Sequence, residues 1–208
     1  MTPSDAWMPR AWQTQSLLLA YPDERFRHHH LPLARRAAAT LPDRAGAPLL
    51  TFAEHLDGQT QEDVTADYVA TFDHRKHCCL FLTYYAHGDT RRRGLALLRL
   101  KRTYAAAGWR LTDEELPDHL AVVLEFAAAV GTRDGRRLLC DHRAGIELLR
   151  LALRETGSPW TRVLDSVRAT LPPLTGDEHT AVARLAAEGP PEEEVGLAPF
   201  APEPARGL

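Results

Sequence analysis

Strand-forming residues are scarce in this chain. Nine Val and a single Ile stand among 208 residues. A β-sandwich or a parallel sheet needs β-branched side chains in quantity. Their scarcity beside abundant Ala, Leu, Arg and Glu predicts an all-α protein. Cysteine is equally sparse: Cys78, Cys79 and Cys140, an odd count with two of them adjacent. That excludes a disulfide framework and fits a reducing compartment. No apolar run approaches the roughly 18 residues of a membrane span. The N-terminus lacks a basic stretch followed by an apolar one, and the SLLLA segment after Gln15 is too short for a signal. The expected location is the cytoplasm, with no membrane insertion.

Catalytic signatures are missing too. There is no GxSxG and no phosphate-cradling glycine loop. No carboxylates pair for acid–base work, since Glu114 and Glu115 read as helix-capping residues. The expectation is a protein that is not an enzyme. The run His74-Arg75-Lys76-His77-Cys78-Cys79 holds nitrogen and sulfur donors of the kind zinc prefers. No second ligand pair follows at a suitable spacing, with Cys140 and His142 the only candidates. Arg75 and Lys76 would also repel a cation. Buried thiols and surface imidazoles account for the run, and no metal or cofactor is expected. His28-His29-His30 reads as a solvated turn.

The net charge of −3 is unevenly placed. Residues 189–208 hold four Glu and one Arg, which leaves the preceding body neutral. A neutral body lacks the basic face that supplies most nucleic-acid affinity. The Pro- and Glu-rich segment 190–208 has almost nothing to bury and reads as a disordered acidic tail. Residues 1–189 form the expected single compact domain.

Helix punctuation recurs along that domain. Thr60 with Asp63, Thr112 with Glu115 and Thr175 with Glu178 have capping-box spacing. Asp89 suits the N-cap of a helix over 90–107 that Gly108 would end. On it Leu97, Leu100 and Tyr104 share a face that Leu95 and Leu98 widen. Further helices are expected over 12–19, 31–41, 47–56, 117–130 and 143–156, and one opened by Ser158 and Pro159. About nine or ten helices result, without a strand or an internal repeat.

Two features stand out. Arg91, Arg92 and Arg93 occupy a helix's first turn, where cations oppose the macrodipole. An outside carboxylate, or a partner, would compensate; a helical regulator gripping nucleic acid through this triplet is the competing reading. Aromatics concentrate from Tyr68 to Tyr85. Adjacent Tyr84 and Tyr85 point about 100° apart on a helix, so one of them suits a surface groove that takes a peptide.

The stretch YVATFDHRKHCCLFLTYYAHGDTRRRG, Tyr68 to Gly94, resembles the signature of NarJ-type chaperones. These are the molybdenum cofactor assembly factors, or delta subunits, of respiratory nitrate reductase, within the wider TorD- and DmsD-like family. LPDHLAVVLEFAA from Leu116 and HRAGIELLRLAL from His142, followed by SPW, resemble later family segments in the same order. The resemblance covers about residues 11–172. Around His74 to Cys79 the chain departs from the family's Arg-rich, single-Cys pattern.

The resemblance implies an all-helical, TorD-like, non-catalytic chaperone. Its expected partner is the apo alpha subunit of nitrate reductase, bound at its N-terminal region. The chaperone would support insertion of the molybdenum cofactor and delay docking to the membrane subunit, with molybdenum cofactor biosynthesis proteins as further partners. Carried onto this chain, Tyr84, Tyr85, Arg91, Arg93, Tyr68 and Asp73 become the expected partner contacts. Phe72, Leu82, Gly88, Asp89, Thr90 and Gly94 become structural: core for Phe72 and Leu82, a tight turn for Gly88, the cap for Asp89, and a close helix approach for Gly94.

Overall fold

Trp12 has no exposed surface, and the helices are laid around it. The computed structural model describes residues 5–112 and 115–189, the Glu188 side chain excepted. Among these lie eleven α-helices, against the nine or ten expected. They are α1 (Met8–Leu19), α2 (Leu31–Ala38), α3 (Asp43–Asp57), α4 (Gln61–Phe72), α5 (Leu82–His87) and α6 (Arg91–Ala106), then α7 (Leu120–Val130), α8 (Thr132–Asp141), α9 (Arg143–Glu155), α10 (Thr161–Ala169) and α11 (Gly176–Glu188). Among the described residues the one β-type pairing is an isolated antiparallel bridge between Phe81 and His119. The expected tail, 190–208, and Glu114 lie outside the described residues.

α1 is the central element and packs on α7, α2 and α10, while α3 lies across α10. Trp12, Leu18 and Leu19 of α1 meet a core that includes Leu120, Val123 and Leu124 of α7 and Val163, Leu164 and Val167 of α10. Burying such side chains stabilises by roughly 1.5–3 kcal/mol each. Several polar groups carried inside are paired with one another, which offsets the cost of their burial. The Trp12 indole donates to Thr170 Oγ1 at 2.8 Å and Gln15 Nε2 to Ser166 Oγ at 2.8 Å. Ser166 in turn donates to the Ala45 carbonyl at 2.7 Å, stitching α1, α10 and α3 together. On α9 the buried Glu147 lies between Arg143, 3.0 Å away, and Arg150, 2.9 Å away.

Local signals worked where nothing distant competed. The Thr60–Asp63 and Thr175–Glu178 capping boxes both form and open α4 and α11. Gly108 takes φ 73° just after α6. Four expectations need correction. First, Thr90, not Asp89, is the N-cap residue of α6, and its hydroxyl donates backwards to the His87 carbonyl at 2.7 Å. Second, α7 begins at Leu120 rather than Pro117. The Leu120 amide donates to the Leu80 carbonyl and the Leu82 amide to the Asp118 carbonyl, and this crossing keeps residues 117–119 out of the helix. Thr112 does bond Glu115, at 3.0 Å, without opening a helix there. Third, Phe26–His30 is a π-helical turn in which His28 and His29 are exposed as expected, but His30 is half-buried, its ring edge-on to that of the buried Phe26. Fourth, Leu95 and Leu98 do not widen the core face, being 60% and 43% exposed. α8 was not expected at all; its apolar residues number too few to show a period.

Candidate functional site

The segment from Leu80 to Arg93 is held down at both ends. α5 approaches α9 at Gly145, where a Cβ would meet the Tyr85 ring at 3.1 Å and the Leu82 carbonyl at 3.3 Å. Tyr85 is buried, and its hydroxyl lies 3.0 Å from the His77 carbonyl and 2.9 Å from that of Cys79. Burial pushes its pKa well above the usual tyrosine value. Gly88 ends α5 at φ 55°, ψ −151°, a conformation open to glycine. The chain then turns into α6.

Asp118 organises the other side. Its carboxylate is fully buried. It accepts from the Thr83 amide at 3.3 Å and from the Thr83 hydroxyl. Arg93 Nη2 stands 3.7 Å from the same Asp118 oxygen, while Nη1 pairs with Asp89 at 2.8 Å. The Arg93 guanidinium also lies over the Phe81 ring, 5.6 Å from its centroid. One arginine thus joins the start of α6 to the Leu80–Leu82 crossing.

The expected partner contacts are therefore dispersed. Tyr68 is 5% exposed, donates to the Leu19 carbonyl at 3.1 Å, and packs on Phe72 and Trp160. Tyr85 and Tyr68 thus offer little surface to a partner. Tyr84 is half-buried, edge-on to Tyr85, and Arg91 is exposed. Asp73 is exposed at the far end of α4. Phe72 and Leu82 sit in the core. Gly94 makes no close helix approach: a Cβ there would meet nothing within 4 Å. The close approach expected of Gly94 falls instead to Gly145.

Beside this scaffold opens a cleft of about 580 Å3. Leu17, Ala20, Tyr21, Leu116 and Val122 make it apolar, and Phe81 and Tyr68 reach it from the aromatic segment. Burial shifts three of its titratable groups, His119, His30 and Glu125, toward their neutral forms. His119 caps α7, accepting from the Ala121 amide at 3.3 Å, and burial lowers its pKa against the opposing pull of Asp118 and Glu115. Burial and then Arg25 lower the pKa of His30. Burial and then Glu115 raise that of Glu125. His30 Nδ1 is buried without a partner among the described residues.

Asp118, His119, His30 and Glu125 were not anticipated as site residues. The Asp-His pair after Pro117 was the available signal, and it had been absorbed into an expected helix start. No group of three or more His, Cys, Asp or Glu among the described residues could hold a metal ion. Burial raises the pKa of Cys78, Cys79 and Cys140, which keeps them as thiols. No helix among the described residues is long and apolar enough to cross a membrane.

Residues 38–165 match the family described as nitrate reductase delta subunit. The chain belongs to that family. The matched range contains the whole Tyr68–Gly94 segment and the Asp118 crossing. NarJ of Bacillus subtilis, a nitrate reductase molybdenum cofactor assembly chaperone by name, is 34% identical over 75% of this chain and 85% of its own length. NarJ of Escherichia coli is 31% identical over 72% of this chain and 64% of its own. The nitrate reductase-like protein NarX of Mycobacterium tuberculosis is 36% identical over 80% of this chain. The chain spans only 25% of NarX, so a domain of this family also occurs within a longer protein. A redox enzyme maturation protein of Archaeoglobus fulgidus shares the fold, with TM-score 0.59 and 24% identity over 78% of this chain and 91% of its own.

Proposed function

We propose that this chain is a chaperone for respiratory nitrate reductase assembly. It binds the apo alpha subunit through that subunit's N-terminal region, supports insertion of the molybdenum cofactor, and delays docking to the membrane subunit. It works in the cytoplasm, alongside molybdenum cofactor biosynthesis proteins, and catalyses no reaction itself. Family membership and the chaperone names of the relatives support this role.

The observation that carries the binding mode is the cleft beside His119, apolar along Leu17, Leu116 and Val122 and lined by histidines that burial keeps neutral. An amphipathic helix laid there buries its apolar side without stranding a charge. Arg25 and Glu115, also on the cleft, supply one charge of each sign to fix its direction. The competing nucleic-acid reading loses Arg93, which Asp89 and Asp118 engage.

Co-expression with the alpha subunit tests the reading. The two should co-purify, and a peptide of the alpha subunit's N-terminus should bind with a negative heat-capacity change and modest salt dependence. A strain lacking the chaperone should accumulate alpha subunit short of molybdenum. Normal molybdenum loading in that strain, with no second copy of the factor, would overturn the proposal.

A further inference from the structure

α11 differs from the other α-helices in how it is held. Each of α1 to α10 buries at least two residues, whereas none of the described residues of α11 is buried. It packs on α9. The face it covers is a second apolar side of that helix. Ile146, Leu149 and Leu153 belong to the core, while Leu148, Leu151 and Ala152 face α11. Leu151 stays 36% exposed beneath this cover.

The fit is incomplete as well. A cavity of about 260 Å3 remains between the two helices, lined by Leu148, Leu151, Ala152, Leu185, Ala186 and, from α5, Tyr85. Packed interiors leave few voids larger than a water molecule. α11 therefore rests on this groove without filling it.

α11 can leave its seat as an intact helix. Its Thr175–Glu178 capping box is satisfied within its own first turn and takes nothing from the body. The chain enters it through Pro172 and Pro173, both exposed, after Thr170 and Leu171, both buried. Its inward stripe is Ala181, Val182 and Leu185, all half-buried, with Glu178 one turn before them. Glu178 also feels the charge of Arg143 at the start of α9. From Glu178 these are positions i+3, i+4 and i+7, the spacing by which amphipathic helices enter grooves.

We propose that the α9 groove is a second helix-binding surface, held here by the chain's own α11 and yielded to an amphipathic helix of a partner protein. That helix carries a carboxylate toward Arg143, apolar residues three, four and seven positions later, and a large apolar residue in place of Ala186 that fills the cavity. The tethered α11 competes at an effective concentration on the order of 1 mM. Only a better-fitting helix, or one on a partner already bound elsewhere, displaces it. The groove shares no lining residue with the cleft beside His119. The inference therefore stands or falls separately from what that cleft binds.

The probe is a fluorescent peptide of residues 174–189, titrated into the full chain. The parent should bind it weakly, because its own α11 occupies the groove. In a Val182→Asp, Leu185→Asp double variant of the chain, α11 loses its apolar stripe, and the peptide should bind at least about tenfold more tightly. The variant changes no buried residue, so the melting temperature of the body should move little. Adding Leu151→Glu to it should remove the gained affinity, and a peptide carrying the two aspartates should not bind. A peptide with Ala186→Leu should bind several-fold more tightly than the native sequence. In hydrogen exchange of the parent, the amides of α11 should open at least about tenfold more readily than those of α10. No gain in the double variant, indifference to Leu151→Glu, or no gain from Ala186→Leu would each overturn the proposal. Exchange in α11 as slow as in α10 would overturn it too, by making α11 a fixed part of the fold. A parent that dimerises with rising concentration, beside a double variant that stays monomeric, would give the groove to α11 of a second copy and overturn the assignment to a partner.

Discussion

Arg93 holds two aspartates of opposite character: Asp89, 79% exposed, at 2.8 Å, and Asp118, fully buried, at 3.7 Å. The arginine that opens α6 against its dipole is thereby compensated within the fold, and need not be reserved for a partner. Removing it leaves the Asp118 carboxylate, whose Oδ1 already lacks a partner among the described residues, with Thr83 alone. Stranding a buried acceptor costs about 1–3 kcal/mol. Arg93→Ala should therefore lower stability by about that much in urea melts. Arg92→Ala, on the exposed side, should stay within about 0.5 kcal/mol. Asp89→Ala should cost less than about 1 kcal/mol, since its pair is open to solvent. Equal losses at Arg92 and Arg93 would mean that the Asp118 contact contributes nothing.

Two glycines should respond in opposite directions to alanine. At Gly94 a Cβ meets nothing within 4 Å, in an exposed helix interior. Gly94→Ala should stabilise by roughly 0.5–1 kcal/mol through the helix preference of alanine. At Gly145 the same methyl meets Tyr85 at 3.1 Å and a carbonyl at 3.3 Å. α5 must give way, so Gly145→Ala should cost about 1–3 kcal/mol, as overpacking does. Thermal melts of the two variants would check both signs.

Those glycines also show where sequence reading stops. The Thr60 and Thr175 capping boxes were legible because each is satisfied within four residues of itself. Phe72 and Leu82 were legible as core through the family resemblance, and both are buried. The start of α7 was not, because the Phe81–His119 bridge that delays it joins segments about 40 residues apart, and one bridge leaves no periodicity. Asp89 was read as a cap because a cap is the local use of an aspartate before a helix; its actual partner, Arg93, lies one turn in. The cleft escaped for the same reason as the bridge. Its walls come from α1, α4, α7 and the loops beside them, and only the Tyr68–Phe81 side carried an aromatic signal.

Acid should destabilise the fold in a defined window. Burial lowers the pKa of His119, His30 and His142 from the ordinary value near 6.5. The unfolded chain then binds more protons than the native one between the native and unfolded pKa values, so stability rises with pH there. As pH falls below about 6.5, stability should decline. Glu125 acts in the opposite sense: its raised pKa makes the native state hold a proton longer, and stability is lost as pH rises above the ordinary carboxylate range near 4.5. His119→Asn keeps a side-chain acceptor for the α7 cap and removes the titration. Its stability curve should be flatter than that of the parent below about pH 6.5. An unchanged slope would show that the buried His119 does not contribute.

Two leucines of equal exposure separate the cleft from the rest of the surface. Leu116 lines the cleft and is 43% exposed; Leu98, on α6 and not part of the cleft lining, is also 43% exposed. Neither is part of the buried core, so Leu116→Glu and Leu98→Glu should each change stability by no more than about 0.5 kcal/mol. A charge at Leu116 must be desolvated when an apolar helix enters the cleft, and it joins Glu115 and Glu125 on the same wall. Leaving a charge unpaired in a desolvated interface costs several kcal/mol. Leu116→Glu should therefore weaken binding of an alpha-subunit N-terminal peptide at least about tenfold, which is about 1.4 kcal/mol. Leu98→Glu should leave that affinity within about twofold. Calorimetric titration of the two variants beside the parent decides the matter. If Leu98→Glu is the variant that loses the peptide, the client sits on α6 and the cleft beside His119 has another use.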